Sequence, residues 1–298
     1  MNSIKKFDIK RKGLTIKLVL ITILVLIFIT VFREQRYVQL ILSPKYLLYL
    51  IVTITAITLL GGRKVSHLVR IITLIILFAI FGIFIDIHPS PLCALTKAFT
   101  RYQMRGFIPP HMVIMAGAML LFTVVGNKVF CGWICPLGSL QEVIFKISKI
   151  FKKFKFPFLI TNALRLSLLA IFLIFVLSFR VNIYNLFNPF ELFHWHLEWY
   201  TLAVISIVIL ASLFYYRPFC HFLCPAGFIT WIFEHISLFK IHKNKEKCTH
   251  CNQCIKESPC NAIDDIIHDH KSIPDCFACG KCIESCPEDA LSFSLWQQ

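Results

Sequence analysis

Six apolar stretches, each close to the ~20 residues that cross a bilayer as a helix, constrain this chain before any motif is weighed. They run roughly over 14–32, 38–60, 68–87, 111–126, 162–181 and 199–215. Pro44 shortens the second, and the fourth is brief. A chain that is 57% hydrophobic and 16% charged, with mean hydropathy +0.71, has too little polar surface for a soluble globule. The expected fold is mostly α, a polytopic helical membrane protein of about six spans.

Charge gives the expected orientation. The formal charge of +15 would suggest nucleic acid in a soluble protein. Here the basic residues flank apolar stretches, so membrane lipid with anionic headgroups is the expected partner and nucleic acid is not. Lys5, Lys6, Lys10, Arg11, Lys12 and Lys17 open the first stretch. Phe32-Arg33-Glu34-Gln35-Arg36 closes it with nothing like a small-residue cleavage site, so it reads as an uncleaved anchor. With the N-terminus inside, the inner segments also hold Arg63, Lys64, Arg70, Lys128, Lys146, Lys149, Lys152, Lys153 and Lys155. The outer loops hold fewer, among them Arg33, Arg36, Lys45, Lys97, Arg101, Arg105 and Arg180. The bias predicts a multi-pass protein of the cytoplasmic (inner) membrane with both termini in the cytoplasm. Residues 136–155 place Val143, Ile144, Ile147, Ile150, Phe151 and Phe154 at helical spacing among lysines, which predicts a basic amphipathic helix in the inner interface.

The chemistry is concentrated in cysteines. The last fifty or so residues carry two C-x2-C-x2-C runs, Cys248/Cys251/Cys254 and Cys276/Cys279/Cys282, the second continued by x3-Cys286-Pro287. This is the bacterial two-cluster ferredoxin pattern, in which the fourth ligand of each iron–sulfur cube comes from the other run. By that crossing, Cys248, Cys251, Cys254 and Cys286 hold one [4Fe-4S] cluster, and Cys276, Cys279 and Cys282 hold most of a second. Four-cysteine zinc sites also use C-x2-C pairs, but three cysteines per run with a trailing Cys-Pro favour iron–sulfur. A disulfide framework does not suit a tail on the reducing side of a membrane.

The tail's internal repeat is imperfect. Shifted by 28 residues, the two runs superpose, yet Cys286 falls on Ser258 and Cys260 falls on Glu288. Cys260 is expected to complete the second cluster through an altered turn; otherwise Ser258, or no protein ligand, stands there.

A second repeat lies beside the membrane. Lys128-Val-Phe130-Cys131-Gly-Trp-Ile-Cys135-Pro136-Leu-Gly138 echoes Arg217-Pro-Phe219-Cys220-His-Phe-Leu-Cys224-Pro225-Ala-Gly227. Each copy follows an apolar stretch, so the third and fourth stretches read as one unit repeated by the fifth and sixth. The first unit has the longer outer loop, around 101–110. The proline places Cys135 and Cys224 at a corner that starts the next helix, where the helix dipole favours thiolate. Three readings stay open: a shared third metal centre, a dithiol–disulfide redox pair, or buried structural cysteines.

Duplicated C-x3-C-P motifs followed by a two-cluster tail resemble the NapH-like membrane ferredoxins. These include the quinol-oxidising subunit of periplasmic nitrate reduction and the membrane part of the nitrous-oxide-respiration regulator. A cytochrome-oxidase maturation protein is a more distant relative. The resemblance covers about residues 70–298 and rests on the twelve cysteines above. It implies electron transfer between the quinone pool and a redox partner protein, as in a quinol dehydrogenase subunit. It says little about residues 1–62. The chain shows no C-x-x-C-H haem site or flavin-attachment sequence, so relatives bearing those groups are poorer matches.

The expected organisation is a basic segment with two spans (1–62), a four-span core with the duplicated motif (63–240) and a cytoplasmic two-cluster ferredoxin-type domain (241–298). Rival functions are a metal (copper) reductase serving metalloenzyme maturation and a redox-sensing regulatory or assembly component. Cys93 reads as an inert lone cysteine. Glu191, His194, His196 and Glu198, with His88 and His111, read as an outer aromatic belt or, more sharply, a quinol or haem site; Asp86, near a span end, is a further candidate. His250, His268 and His270 read as surface residues near the tail clusters.

Overall fold

The computed structural model describes residues 43–85, 90–148, 155–194, 198–268 and 275–295. Nearly all lie in one compact unit, Leu48–Gln298; of the other unit, Met1–Leu47, only residues 43–47 are described. The first apolar stretch is outside the described residues.

The described chain is mostly helical because its apolar runs satisfy their own backbone hydrogen bonds only as helices. Helix α1 (Pro44–Gly61) begins at Pro44, whose fixed φ suits a first turn. Helix α2 (His67–Phe78) is capped by the Ser66 hydroxyl and runs on through a π turn, Ala79–Phe84. Helix α3 (Pro91–Arg105) fills much of the stretch expected as an outer loop; Ser90 caps its start, and Gly106 ends it at φ 65°. Helices α4 (Pro110–Gly126), α6 (Phe158–Phe179) and α7 (Trp199–Phe214) follow the remaining apolar stretches. Among the described residues, three helices are long and apolar enough to cross a membrane: α1, α2 with its π extension, and α6. Helices α4 and α7 are apolar but shorter, at 17 and 16 residues. Ile51, Ile54, Leu68, Ile76, Leu159, Leu177 and Ile207 are exposed on these helices, a surface that suits lipid.

Helix α5 (Pro136–Ile147) departs from the interfacial helix expected from its stripe. Its buried residues are Pro136, Leu137, Gly138, Ser139, Gln141 and Glu142, while Val143 and Ile144 are half-buried and Ile147 is exposed; Ile150, Phe151 and Phe154 of the stripe lie outside the described residues. The reason is Glu142. Its carboxylate accepts from Arg70 Nε (2.8 Å), Arg217 Nη2 (2.6 Å) and the Tyr216 hydroxyl (2.8 Å), with Lys146 Nζ at 3.3 Å. Burial alone would push this carboxyl up, but Arg70, Arg217 and Lys146 hold it well below its usual range. Arg70 also stacks on Trp133, 4.2 Å from the ring centre. Arg70 and Lys128, which the charge bias had set against lipid headgroups, are therefore interior residues.

After α8 (Pro218–Phe222) and α9 (Pro225–Glu234), the chain forms a small α+β tail. Strands β1 (Lys240–Lys243) and β2 (Leu291–Ser294) pair antiparallel, with Ile241 opposite Phe293. Between them lie α10 (Gln253–Glu257), α11 (Ala262–Ile267) and α12 (Lys281–Glu284). The tail leans on the α1–α2 turn: Arg63 donates to the Asp289 carbonyl (2.6 Å) and pairs with the Asp289 carboxylate, and the His67 N–H donates to Glu284 (2.9 Å).

Replacing Glu142 by Gln would leave two buried guanidiniums without their counterion. Thermal unfolding of the solubilised protein should show a loss of about 3–5 kcal/mol. Lys281→Ala, which breaks only an exposed pair with Glu284, should change stability by less than about 1 kcal/mol.

Candidate functional site

The two tail loops share a backbone device. His250 and Asn252 flank Cys251 with φ of 54° and 58°, and Ala278 and Gly280 flank Cys279 with φ of 49° and 79°. Each pair is 28 residues from its counterpart, so the loops are built alike even where their sequences differ. Left-handed residues on both sides of a central cysteine coil the backbone and turn N–H groups inward, which favours an anionic guest.

Cys248, Cys251, Cys254 and Cys286 line one hollow. Burial raises the Cys254 thiol, and Cys286, Cys251 and Cys248 raise it further. Among the described residues, no three His, Cys, Asp or Glu side chains converge closely enough to hold a single metal ion. A closed zinc site needs four donors about 2–2.3 Å from one ion. Thiols ringed around a hollow suit a larger group, and the iron–sulfur cube fits that description. Cys251 is exposed, so this set faces solvent.

Cys276, Cys279 and Cys282 are buried, and the displaced Cys260 is with them. Burial pushes the Cys276 and Cys282 thiols well up, and both also feel Cys260 and Cys279. Burial, then Cys279, pushes Cys260 to about 12. Cys282 also feels Cys254 of the first set, so the two sets are neighbours. His250 and His268 are exposed, as expected, and His270 is outside the described residues.

This second set is pressed against the C-x3-C-P turns. Asp275, next to Cys276, pairs with Lys128 and with Arg165 Nη2 (2.9 Å), and His221 Nδ1 lies 3.6 Å away. Burial works against its charge, but Arg165, Lys128 and His221 hold it below the usual carboxylate range. Glu234 accepts from the Cys276 N–H (3.1 Å); burial pushes this carboxyl up to about 8, opposed by Lys128. Trp133 Nε1–H donates to the Ala278 carbonyl (3.0 Å). Phe277 is covered by Lys128 at 4.9 Å, Arg217 at 5.1 Å and the His221 ring at 5.1 Å. The backbone of Gly132 lies where a Cβ would collide with the Phe277 carbonyl oxygen.

The duplicated motifs form a third set. Cys135 and Cys224 are the N-cap residues of α5 and α9, extended at φ −65°, ψ 114° and φ −79°, ψ 114°, each followed by Pro at the first helical position. That is the corner expected from the sequence. Cys131 and Cys220 sit one turn earlier, in the π turn Phe130–Ile134 and in α8. The four thiols are near one another: burial raises Cys135 most, and Cys220, Cys131 and Cys224 each add to it. Burial likewise raises Cys224, with Cys220 and Cys131, and takes Cys220 to about 11. The helix start favours thiolate at Cys135 and Cys224, and burial opposes it. A bound cation is what would displace the protons. The repeat is exact in its packing too: a Cβ at Gly138 would meet the Cys131 carbonyl oxygen at 2.8 Å, and one at Gly227 the Cys220 carbonyl oxygen at 2.7 Å. Gln141 Nε2 lies 3.6 Å from the Cys220 sulfur, and Thr230 Oγ1 3.9 Å from the Cys131 sulfur.

The outer candidates are less engaged. Glu191 is tied to Asn188 (2.6 Å) and Lys97 (3.4 Å), and Glu198 is exposed at the start of α7. Cys93 is buried on α3, its sulfur 3.7 Å from Asn188 Nδ2, and His111 is half-buried on α4. Asp86, His88, His196 and the His194 side chain are outside the described residues. Sequence reasoning missed Glu142, Glu234 and Asp275. The available signal was a cation at the same place in both motifs, Lys128 and Arg217, which needs buried anions once it is interior.

Gly132→Ala should push the second cysteine loop off its seat, at a cost of about 1–3 kcal/mol. Hydrogen exchange over residues 275–283 should rise, while Gly61→Ala, whose Cβ would meet the Phe293 carbonyl oxygen at an ordinary 3.5 Å, should leave it unchanged.

Residues 108–155 and 195–244 match the family model of a 4Fe-4S binding domain. These segments carry the C-x3-C-P cysteines; the tail cysteines lie beyond them. The chain is 28% identical to YccM of Escherichia coli (strain K12), provisionally named an electron transport protein, over 49% of this chain and 45% of that one. It is 25% identical to the methylamine utilization ferredoxin-type protein MauN of Methylobacillus flagellatus, over 57% and 60%. It is 28% identical to the regulatory protein NosR of Pseudomonas aeruginosa, over 50% and 22%. The chain thus spans about half the length of the first relatives it matches. No solved structure matches it. Over these segments the chain is similar to a 4Fe-4S binding domain and to ferredoxin-type proteins, in line with the NapH-like resemblance of its motifs.

Proposed function

We propose that this chain is a multi-pass inner-membrane carrier that relays electrons between the quinone pool and a redox partner protein. Cys248, Cys251, Cys254 and Cys286 would hold one [4Fe-4S] cluster, and Cys260, Cys276, Cys279 and Cys282 a second. Cys131, Cys135, Cys220 and Cys224 would hold a third metal centre, read as iron–sulfur because the matched domain falls on them. Such clusters supply one-electron carriers whose potentials follow net charge, exposure and hydrogen bonds to sulfur.

The observation that carries this reading is the order of the three cysteine sets, from the exposed Cys251 through the buried Cys276 and Cys279 to the buried Cys135. Phe277, Tyr216 and Cys220 pack as one cluster with Cys131, Phe145 and Cys260 at its margin, so side chains join the second and third sets. Gln141 and Thr230 offer polar contacts to the third set's sulfurs, and Lys128 and Arg217 supply the positive charge that an anionic thiolate centre needs. The exposed first set suits contact with a soluble partner. Six spans with both termini in the cytoplasm, and a division at about 62 and 240, complete the proposal.

The test uses the full chain purified in detergent, with menadiol as the quinol and EPR as the readout. Menadiol should reduce the clusters, and Cys260→Ser should remove one tail signal while the Cys286-dependent one persists. Clusters that reduce copper ions but never accept electrons from a quinol would replace this reading with the metal reductase. Loss of neither tail signal in Cys260→Ser would overturn the ligand assignment.

A further inference from the structure

The two C-x3-C-P units correspond beyond their cysteines. Cys131 and Cys220, Cys135 and Cys224, and Gly138 and Gly227 are each 89 residues apart. The same shift sets Gln141 of α5 on Thr230 of α9, two fully buried polar side chains. Each reaches out of its own unit. Gln141 Nε2 lies 3.6 Å from the sulfur of Cys220 in the second motif, and Thr230 Oγ1 lies 3.9 Å from the sulfur of Cys131 in the first. The contacts therefore cross between the units at equivalent positions, and each meets the first cysteine of the opposite motif.

The crossed pair is unequal in chemistry. The Phe219 N–H donates to Gln141 Oε1 (2.9 Å), so the amide oxygen must face Phe219 and the NH2 group must face away from it. That group has two protons and two acceptors within reach, the Leu137 carbonyl (3.0 Å) and the Cys220 sulfur. Its proton toward sulfur has no competing use. Thr230 has a single hydroxyl proton, and the carbonyls of Ala226 (2.8 Å) and Gly227 (3.2 Å) both lie closer to it than the Cys131 sulfur does. Gln141 is thus a fixed donor to its sulfur and Thr230 a shared one. Gln141 also holds the backbone amide just before Cys220, which keeps that sulfur within its reach.

We infer that Gln141 is a positioning residue of the third centre: its side-chain N–H donates to the Cys220 sulfur across the two units and raises the centre's reduction potential, with Thr230 as the weaker counterpart at Cys131. The inference rests on the reading of Cys131, Cys135, Cys220 and Cys224 as ligands of an iron–sulfur centre. Uptake of one electron adds negative charge that the sulfurs share, so a donor to sulfur stabilises the reduced state more than the oxidised one. No bond to Gln141 forms or breaks in that step.

The experiment is a redox titration of the full chain in detergent, with dithionite as reductant and EPR as the readout. The third centre is the signal lost in a Cys131→Ser, Cys220→Ser double variant. Gln141→Met keeps the length of the side chain and removes the donor. It should make this centre about tenfold harder to reduce, a fall of about 59 mV for one electron, while both tail signals keep their potentials. Thr230→Val should lower the potential by less, and Thr230→Ser, which keeps the hydroxyl, should restore it. A merely structural role would change iron content or signal size and leave the potential where it was. If Gln141→Met loses the centre, the wild type isotopically labelled at the glutamine side-chain nitrogen decides, because pulsed EPR on the reduced third centre should then show coupling to that nitrogen. An unchanged potential in Gln141→Met, or no nitrogen coupling in the wild type, would overturn the donor role and leave the third centre standing. A wild type with no signal that depends on Cys131 and Cys220 would overturn the third centre and this inference together.

Discussion

Asp275 is the residue on which the arrangement turns. Its carboxylate is buried between Lys128 and Arg165, with His221 behind it, and the next residue in the chain is Cys276. Lys128 opens the first C-x3-C-P motif, Arg165 lies on α6, and His221 follows Cys220 in the second motif. One buried charge therefore fixes the second tail loop against both halves of the membrane repeat. Losing one partner of such a group costs about 3–5 kcal/mol, and that penalty works for registry. With Asp275 seated, Phe277 can enter only where Gly132 leaves room for its carbonyl and where Lys128, Arg217 and His221 cover its ring.

Glu142 supports this from the other side. It neutralises Arg217, which in turn donates to the Cys131 carbonyl (2.6 Å) and the Gly132 carbonyl (2.8 Å). The cations at equivalent places in the two motifs, Lys128 and Arg217, thus hold different anions, one from the tail and one from α5. A repeat that is symmetric in sequence becomes asymmetric in use, which lets a single tail dock on it. For the proposed relay the consequence is a packed connection: Phe277, Tyr216 and Cys220 form one cluster with Cys260 of the second set and Cys131 at its margin.

Much of this was legible in the sequence. The apolar stretches gave α1, α2, α4, α6 and α7, because a run without polar interruptions has few other ways to satisfy its backbone. Cys-Pro gave the corner at Cys135 and Cys224, since proline dictates the local backbone on both sides of itself. The displacement of Cys260 by two residues points to the second set, and burial with Cys279 nearby raises its thiol. What could not be read was burial of charge. Lys128, Arg70 and Lys146 look like any inner-loop cations, and their placement depends on Glu142, Glu234 and Asp275, which are distant in sequence. Helix α5 shows the same limit: its apolar stripe is real, yet the face that is buried is set by one glutamate and the arginines that reach it.

The central claim is that three sets of four cysteines, two in the tail and one from the duplicated motifs, each hold an iron–sulfur centre in one line. Iron and acid-labile sulfide per chain, measured on the purified full-length protein, test it most directly. The account predicts about twelve iron, falling by about a third in a Cys131→Ser, Cys220→Ser double variant, with both tail signals kept in the EPR spectrum. About eight iron in the wild type, unchanged by that double variant, would contradict it and leave the membrane thiols without a centre.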